Sequence, residues 1–139
     1  MIQFEVAGIP KAKGSPIVYT NKKSGRLMVG IRSSPAKDWE DLIKLVASNA
    51  MGQLFLMTGP VHLSVTFKMP IPKVLESKLK KGKMSWYHSK RLDLDKMLRL
   101  VGDSMNGIVY HDDAQIAKIS AHKIYDETPG ISVEVSELS

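Results

Sequence analysis

The chain predicts a single α+β (α/β) domain, residues 1–139, with a mixed β-sheet and two main helices packed on it. Two observations predict this. Apolar residues alternate strictly in some stretches and recur with helical spacing in others, in the order β-β(β)-α-β-α-β-β. The length of 139 residues is enough for one domain with a real core and too little for two. At this size folding buries roughly 68–70% of the surface of the unfolded chain, so no covalent staple is needed.

Ile2, Phe4 and Val6 alternate and predict a first strand, ended by Gly8-Ile9-Pro10. Ile17-Val18-Tyr19 and Leu27-Met28-Val29 flank Asn21-Lys22-Lys23-Ser24-Gly25, which predicts a hairpin with a basic tip. Ser33 or Ser34 caps the next element, a helix with Pro35 in its first turn. Trp39, Leu42, Ile43, Val46 and Ala47 carry that helix to about Met51. Val61, Leu63, Val65 and Phe67 alternate as a half-buried strand that Pro70 and Pro72 end. Residues Val74 to Lys90 hold a short possible helix and a lysine-rich loop. A second main helix covers about Asp95 to Met105, with an apolar stripe of Leu94, Met97, Leu98, Val101 and Met105. Asn106-Gly107 is its expected C-terminal stop. Ile116–Tyr125 and Ile131–Val135 are the last two strands.

Cysteine is absent, which excludes disulfides, thiolate zinc sites and thiol nucleophiles. There is no signal-peptide pattern and no stretch approaching the ~20 apolar residues of a membrane span, so a cytoplasmic protein without membrane association is expected. The net charge of +6 is unevenly placed. Residues Lys11 to Lys37 hold seven basic residues and no acid, and Glu76 is the one acid among the basic residues from Lys73 to Arg91. Such placement favours a polyanionic partner. Lys11, Lys13, Lys22, Lys23, Arg26, Lys78, Lys80, Lys81, Lys83, Lys90, Arg91 and Lys96 are the candidate DNA-backbone contacts. Trp86 and Tyr87 lie among the lysines, where they either stack on unpaired bases or anchor the loop to the core.

Against this basic background, five of the fourteen acidic residues fall between Arg91 and Asp113, and all five are Asp. A basic surface to hold a polynucleotide and carboxylates to hold divalent cations are what a metal-dependent nuclease needs. Asp93 and Asp95 are two apart at a helix start, so in an extended segment both point to one side and can face one metal. The helix dipole explains one Asp there, not the set. Asp112-Asp113 reads in isolation as a turn; beside Asp93 and Asp95 it supplies further oxygen ligands for Mg²⁺. Asp95, Arg99 and Asp103 share a helix face, and an ion-pair ladder is the preferred reading of Asp103. Lys96 or Arg99 can hold a scissile phosphate. A lone histidine in a basic loop, His88, is most often solvated and idle.

The window from His88 to Ile116, with Asp93-Leu-Asp95, Asp103-Ser-Met-Asn106-Gly107 and Asp112-Asp113-Ala-Gln115, resembles the RusA family of Holliday junction resolvases. The spacing agrees without a gap, and the Gly-Ile-Pro-Lys-x-Lys-Gly segment and the last two strands also fit. The resemblance implies a homodimeric endonuclease acting on branched DNA, the four-way junction, with Mg²⁺ (Mn²⁺ as a substitute) at an Asp cluster. Asp93, Asp95 and Asp113 match its metal-binding and catalytic carboxylates, and Asp112 matches an adjacent acid. Two positions depart from the family. Lys96 stands where it has Asn, and Arg99 where it has a catalytically important Lys. Arginine keeps the positive charge but cannot give up a proton at neutral pH, so Arg99 can clamp a phosphate and cannot serve as an acid. The rival readings are a nuclease for flaps or forks and a DNA-binding protein that has lost cleavage.

Overall fold

A computed structural model describes residues 1–13, 16–20, 24–31 and 35–139. The main sheet has four strands in the order β1-β6-β4-β5, from β1 (Ile2–Ala7), β4 (Val61–Met69), β5 (Ile116–Tyr125) and β6 (Gly130–Glu137). β6 pairs antiparallel with both β1 and β4, whereas β4 and β5 run parallel. Parallel neighbours need a crossover, and this one carries α2 (Lys73–Lys80) and α3 (Leu94–Ser104). The short strands β2 (Pro16–Thr20) and β3 (Leu27–Ile31) form a separate antiparallel pair, as the hairpin expectation requires. Its tip at Lys22 and Lys23 and the expected helix caps Ser33 and Ser34 lie outside the described residues.

Period-two alternation decides which face of the sheet is buried. Along β4, Val61, Leu63, Val65, Phe67 and Met69 are buried, and His62, Ser64, Thr66 and Lys68 point the other way. Ile2, Phe4 and Val6 on β1 and Ile131, Val133 and Val135 on β6 continue the same apolar face. α1 (Pro35–Met51) covers it with Ala36, Trp39, Ile43, Ala47 and Met51, and packs against both β1 and α3. Leu42, expected inside, is 38% exposed. It lies about 100° round the helix from Ile43, on the outer edge of the apolar stripe.

α3 buries Met97, Leu100 and Val101. Leu94 and Leu98, placed in the stripe from spacing alone, are only half-buried, and Leu100 takes the position between Met97 and Val101. The helix stops at Met105, and Gly107 follows at φ 75°, a left-handed conformation that glycine adopts without strain. The chain then folds back on its own helix. The buried Tyr110 hydroxyl donates to the Gly102 carbonyl at 2.6 Å, and the Met57 N–H donates to the Val109 carbonyl at 2.8 Å. This return brings residues 112–113 beside the third turn of α3. Among the described residues no helix is long and apolar enough to cross a membrane.

Candidate active site

Asp93 is the N-cap of α3, in extended backbone (φ −69°, ψ 133°), and its carbonyl accepts from the Met97 N–H at 3.1 Å. Its side chain makes no capping bond, is largely exposed, and stands 3.8 Å from the Lys96 ammonium. The loop that delivers Asp93 is fixed from behind by Lys123, whose ammonium donates to the carbonyls of Lys90 (2.5 Å) and Leu92 (2.6 Å). Bonds from a charged donor are about twice as strong as neutral ones, so this is a firm anchor. Sequence reasoning passed over Lys123. The signal available was a lysine in phase with Ile119, Ala121 and Tyr125 on the strand face that looks toward the helices.

Asp95 opens the first turn of α3, Arg99 stands one turn later and Asp103 two turns later. All three line one cleft of about 270 Å³ together with Asp113, over an apolar floor that includes Leu63, Leu98 and Ile116. Asp93 does not line it. The expected ladder from Asp95 through Arg99 to Asp103 is replaced by a long-range pairing. Asp103 binds the Lys13 ammonium at 2.5 Å across 90 residues of chain and is hydrogen-bonded to Asp113. Tertiary folding supplies better-placed partners than the helix does, and Arg99 acts on Asp103 through its field alone. Lys13, expected on DNA, is thereby committed to a carboxylate.

Three carboxyls in contact cannot all ionise freely. Asp113 is raised from its ordinary 3.8 to about 6, first by hydrogen bonding to Asp103 and then to Asp112, with partial burial and their charges adding to the effect. Burial pushes Asp103 upward, but bonds from Asp113 and Lys13 outweigh it and hold that carboxyl below its usual range. Asp112 is held low by Asp113 and by the backbone N–H of Ala114. The cluster therefore keeps one proton, centred on Asp113, to about pH 6. Tyr110 is raised by burial and then by these three carboxylates, so it stays a neutral phenol.

The Asp112-Asp113 turn is built by its own side chains. Asp112 accepts from the Ala114 N–H at 3.2 Å and caps the 3₁₀ turn Asp113–Gln115. The Gln115 carbonyl oxygen accepts from the Asp112 and His111 N–H groups, while its amide donates to the carbonyls of Met57 and Gly59, each at 2.9 Å. Gln115 thus locks the turn to the 57–59 segment. The turn reading of Asp112-Asp113 holds in geometry, and capping by Asp112 is what presents Asp113 to the cleft.

The raised pKa of Asp113 has a stability consequence. Asp113 binds its proton more tightly folded than unfolded, so its contribution is fully present below pH 3.8 and is lost as pH rises through about 6. In chelator, the melting temperature of wild type measured against that of Asp113→Asn is expected to fall as pH rises from about 4 to about 6, a comparison that cancels the opposite contribution of His88, whose pKa burial lowers. A difference that does not change with pH would refute the assignment.

Among the described residues the carboxylates do not make a ready cage of three metal ligands. The donor set nevertheless fits a hard divalent cation. Asp95, Asp103 and Asp113 offer oxygens only, the cleft leaves room for water, and the proton held between Asp113 and its neighbours marks negative charge that a cation would compensate.

Lys78, Lys80, Lys81, Lys83, Lys90, Arg91, Lys96 and Arg26 are exposed, as backbone contacts require, while Lys11 is half-buried. Trp86 and Tyr87 are 42% and 67% exposed, and the Trp86 carbonyl accepts from the Tyr125 N–H. His88 is not idle in solvent. It is half-buried with its ring 4.9 Å from that of Tyr125, and burial and then the nearby Lys123 lower its pKa.

The family model for endodeoxyribonuclease RusA matches residues 7–136. The uncharacterized protein YqaN of Bacillus subtilis (strain 168) is 32% identical over 99% of this chain and 97% of its own length. The crossover junction endodeoxyribonuclease rusA of Lactococcus phage r1t is 35% identical over 65% of this chain and 64% of its own. A match of this extent places the protein in the RusA family of endodeoxyribonucleases.

Proposed function

We propose that the protein resolves four-way DNA junctions by paired symmetric nicks, as a homodimer in the cytoplasm, with Mg²⁺ as cofactor and Mn²⁺ as a substitute, in DNA recombination and repair. The observation that carries the reading is the shared cleft of Asp95, Asp103, Asp113 and Arg99 in a chain of this family. Nucleases of the family are generally dependent on a divalent metal. Asp95, Asp103 and Asp113 would hold the cation, with Asp93 flanking them at the helix entrance. Bound there, a divalent cation supplies Lewis-acid charge neutralisation and a more acidic water. The chain's own residues do the rest. Arg99 offers its guanidinium to the scissile phosphate, and the exposed lysines from Lys78 to Lys90 hold the DNA arms through phosphates without reading bases. Two-fold symmetry in a dimer matches the pseudo-two-fold junction, so two sites can cut two strands.

The deciding experiment incubates the protein with labelled four-way junction, flap, fork and linear duplex, with and without Mg²⁺. Metal-dependent paired nicks in the junction support the reading. Preferential cutting of flaps or forks, or binding without cleavage in Mg²⁺ and Mn²⁺, would replace it.

Arg99 gives a sharper test. Arg99→Ala is expected to slow single-turnover cleavage by about ten- to a thousand-fold, as for loss of one transition-state charge stabiliser. Arg99→Lys should preserve the rate, since a positive charge remains in the cleft. Wild-type rates for the alanine variant would shift the phosphate-clamping role to Lys96.

A further inference from the structure

Beside the aspartate cleft lies a second, larger groove of about 570 Å³ that the cleavage chemistry does not use. Four segments wall it: the residues after β1, the end of β4 with the start of α2, the 88–92 loop, and Tyr125 at the end of β5. Its body is apolar, with Ile9, Val74, Leu92 and the tilted ring pair of His88 and Tyr125. Lys11, Lys90 and Arg91 also line it, and among the described residues no carboxylate does. Ile9 is 52% exposed and Val74 82%, so this apolar surface faces solvent.

Such a combination fits a particular chemistry. A nucleotide removed from its helix presents a flat apolar base attached to an anionic phosphate. Bases stacked within a duplex offer no such face, whereas the bases flanking an open branch point lose a stacking neighbour and do. The volume falls in the range of about 300–1,000 Å³ typical of ligand sites. The groove is also held in shape. Lys123 anchors the carbonyls of Lys90 and Leu92, and the His88 N–H donates to the Lys123 carbonyl at 3.0 Å. Its wall ends at Leu92, one residue before Asp93 in the chain.

We propose that this groove binds an unstacked base of branched DNA, with Lys11, Lys90 and Arg91 on the adjoining phosphates. The inference rests on the junction reading above and adds a source of preference for branched over linear DNA. It assigns the preference to apolar contact with a base, whereas the charged loops hold any duplex alike.

The test is the neutral double variant Ile9→Gln with Val74→Gln. Both side chains are exposed, so folding is undisturbed, and the charge is unchanged. Binding is measured in chelator to an intact four-way junction, to the same junction with abasic sites at the eight branch-point nucleotides, and to linear duplex. The variant is expected to bind the intact junction about tenfold more weakly, the scale of a lost base-stacking contact. It should bind duplex within twofold of wild type, and wild type and variant should bind the abasic junction equally. An equal loss on duplex, an unchanged junction affinity, a loss that persists on the abasic junction, or a changed oligomeric state of the free variant would each overturn the groove assignment. If the variant keeps a wild-type preference for junction over duplex, only the groove fails. If wild type itself shows no such preference, the junction reading fails with it.

Discussion

Asp95→Asn is expected to lower junction cleavage by at least about 10²- to 10³-fold while leaving junction affinity within a few-fold. The residue opens the first turn of α3 and lines the cleft with Asp103, Asp113 and Arg99. Its exposed carboxylate carries no packing, and asparagine is nearly isosteric. The cost to folding is restricted to the charge–dipole effect at a helix N-terminus, about 0.3–1 kcal/mol. DNA affinity rests instead on the exposed lysines, which the change does not touch. Single-turnover rates at saturating protein, beside a gel-shift titration in chelator, separate the two quantities. Loss of binding and cleavage together, with an unchanged circular dichroism spectrum, would show that Asp95 also organises the DNA surface.

Phe67→Ala should cost about 3–5 kcal/mol of stability, a large part of the roughly 5–15 kcal/mol of an ordinary domain. Phe67 is fully buried on β4, a strand with neighbours on both sides, opposite Ile131 of β6 and Lys123 of β5. Removing its ring leaves a cavity in a sheet whose partners are fixed by register, so the core cannot close over the gap. Urea unfolding should show a lower midpoint at an unchanged slope. A loss below about 1 kcal/mol would mean that the core collapses freely around this position, contrary to the packing. The same change would also loosen the strand register that places Lys123 behind the loop leading to Asp93.

The elements were legible wherever one local pattern governed them. Alternation in Ile2–Val6 and Val61–Phe67 and helical spacing from Trp39 to Ala47 correspond to β1, β4 and α1. The Asp93 to Gln115 window was equally legible as the seat of chemistry, because acidic residues concentrated in a basic chain stand out by composition. What the pattern could not give was strand order. β6 comes last in sequence yet lies between β1 and β4, since burial of its apolar face on both sides of Val133 decides its place.

Within the site, the sequence by itself determined which residue types are present and which are close in the chain. Tertiary structure decided their partners. Asp103 turned from Arg99 to Lys13 and Asp113, Asp93 was left at the rim, and Lys123 was recruited to hold the loop. The physical reason is that carboxylates and ammonium groups interact through space over a few ångströms. Only the return of the chain through Tyr110 and Gln115 brings segments that far apart in sequence within that reach.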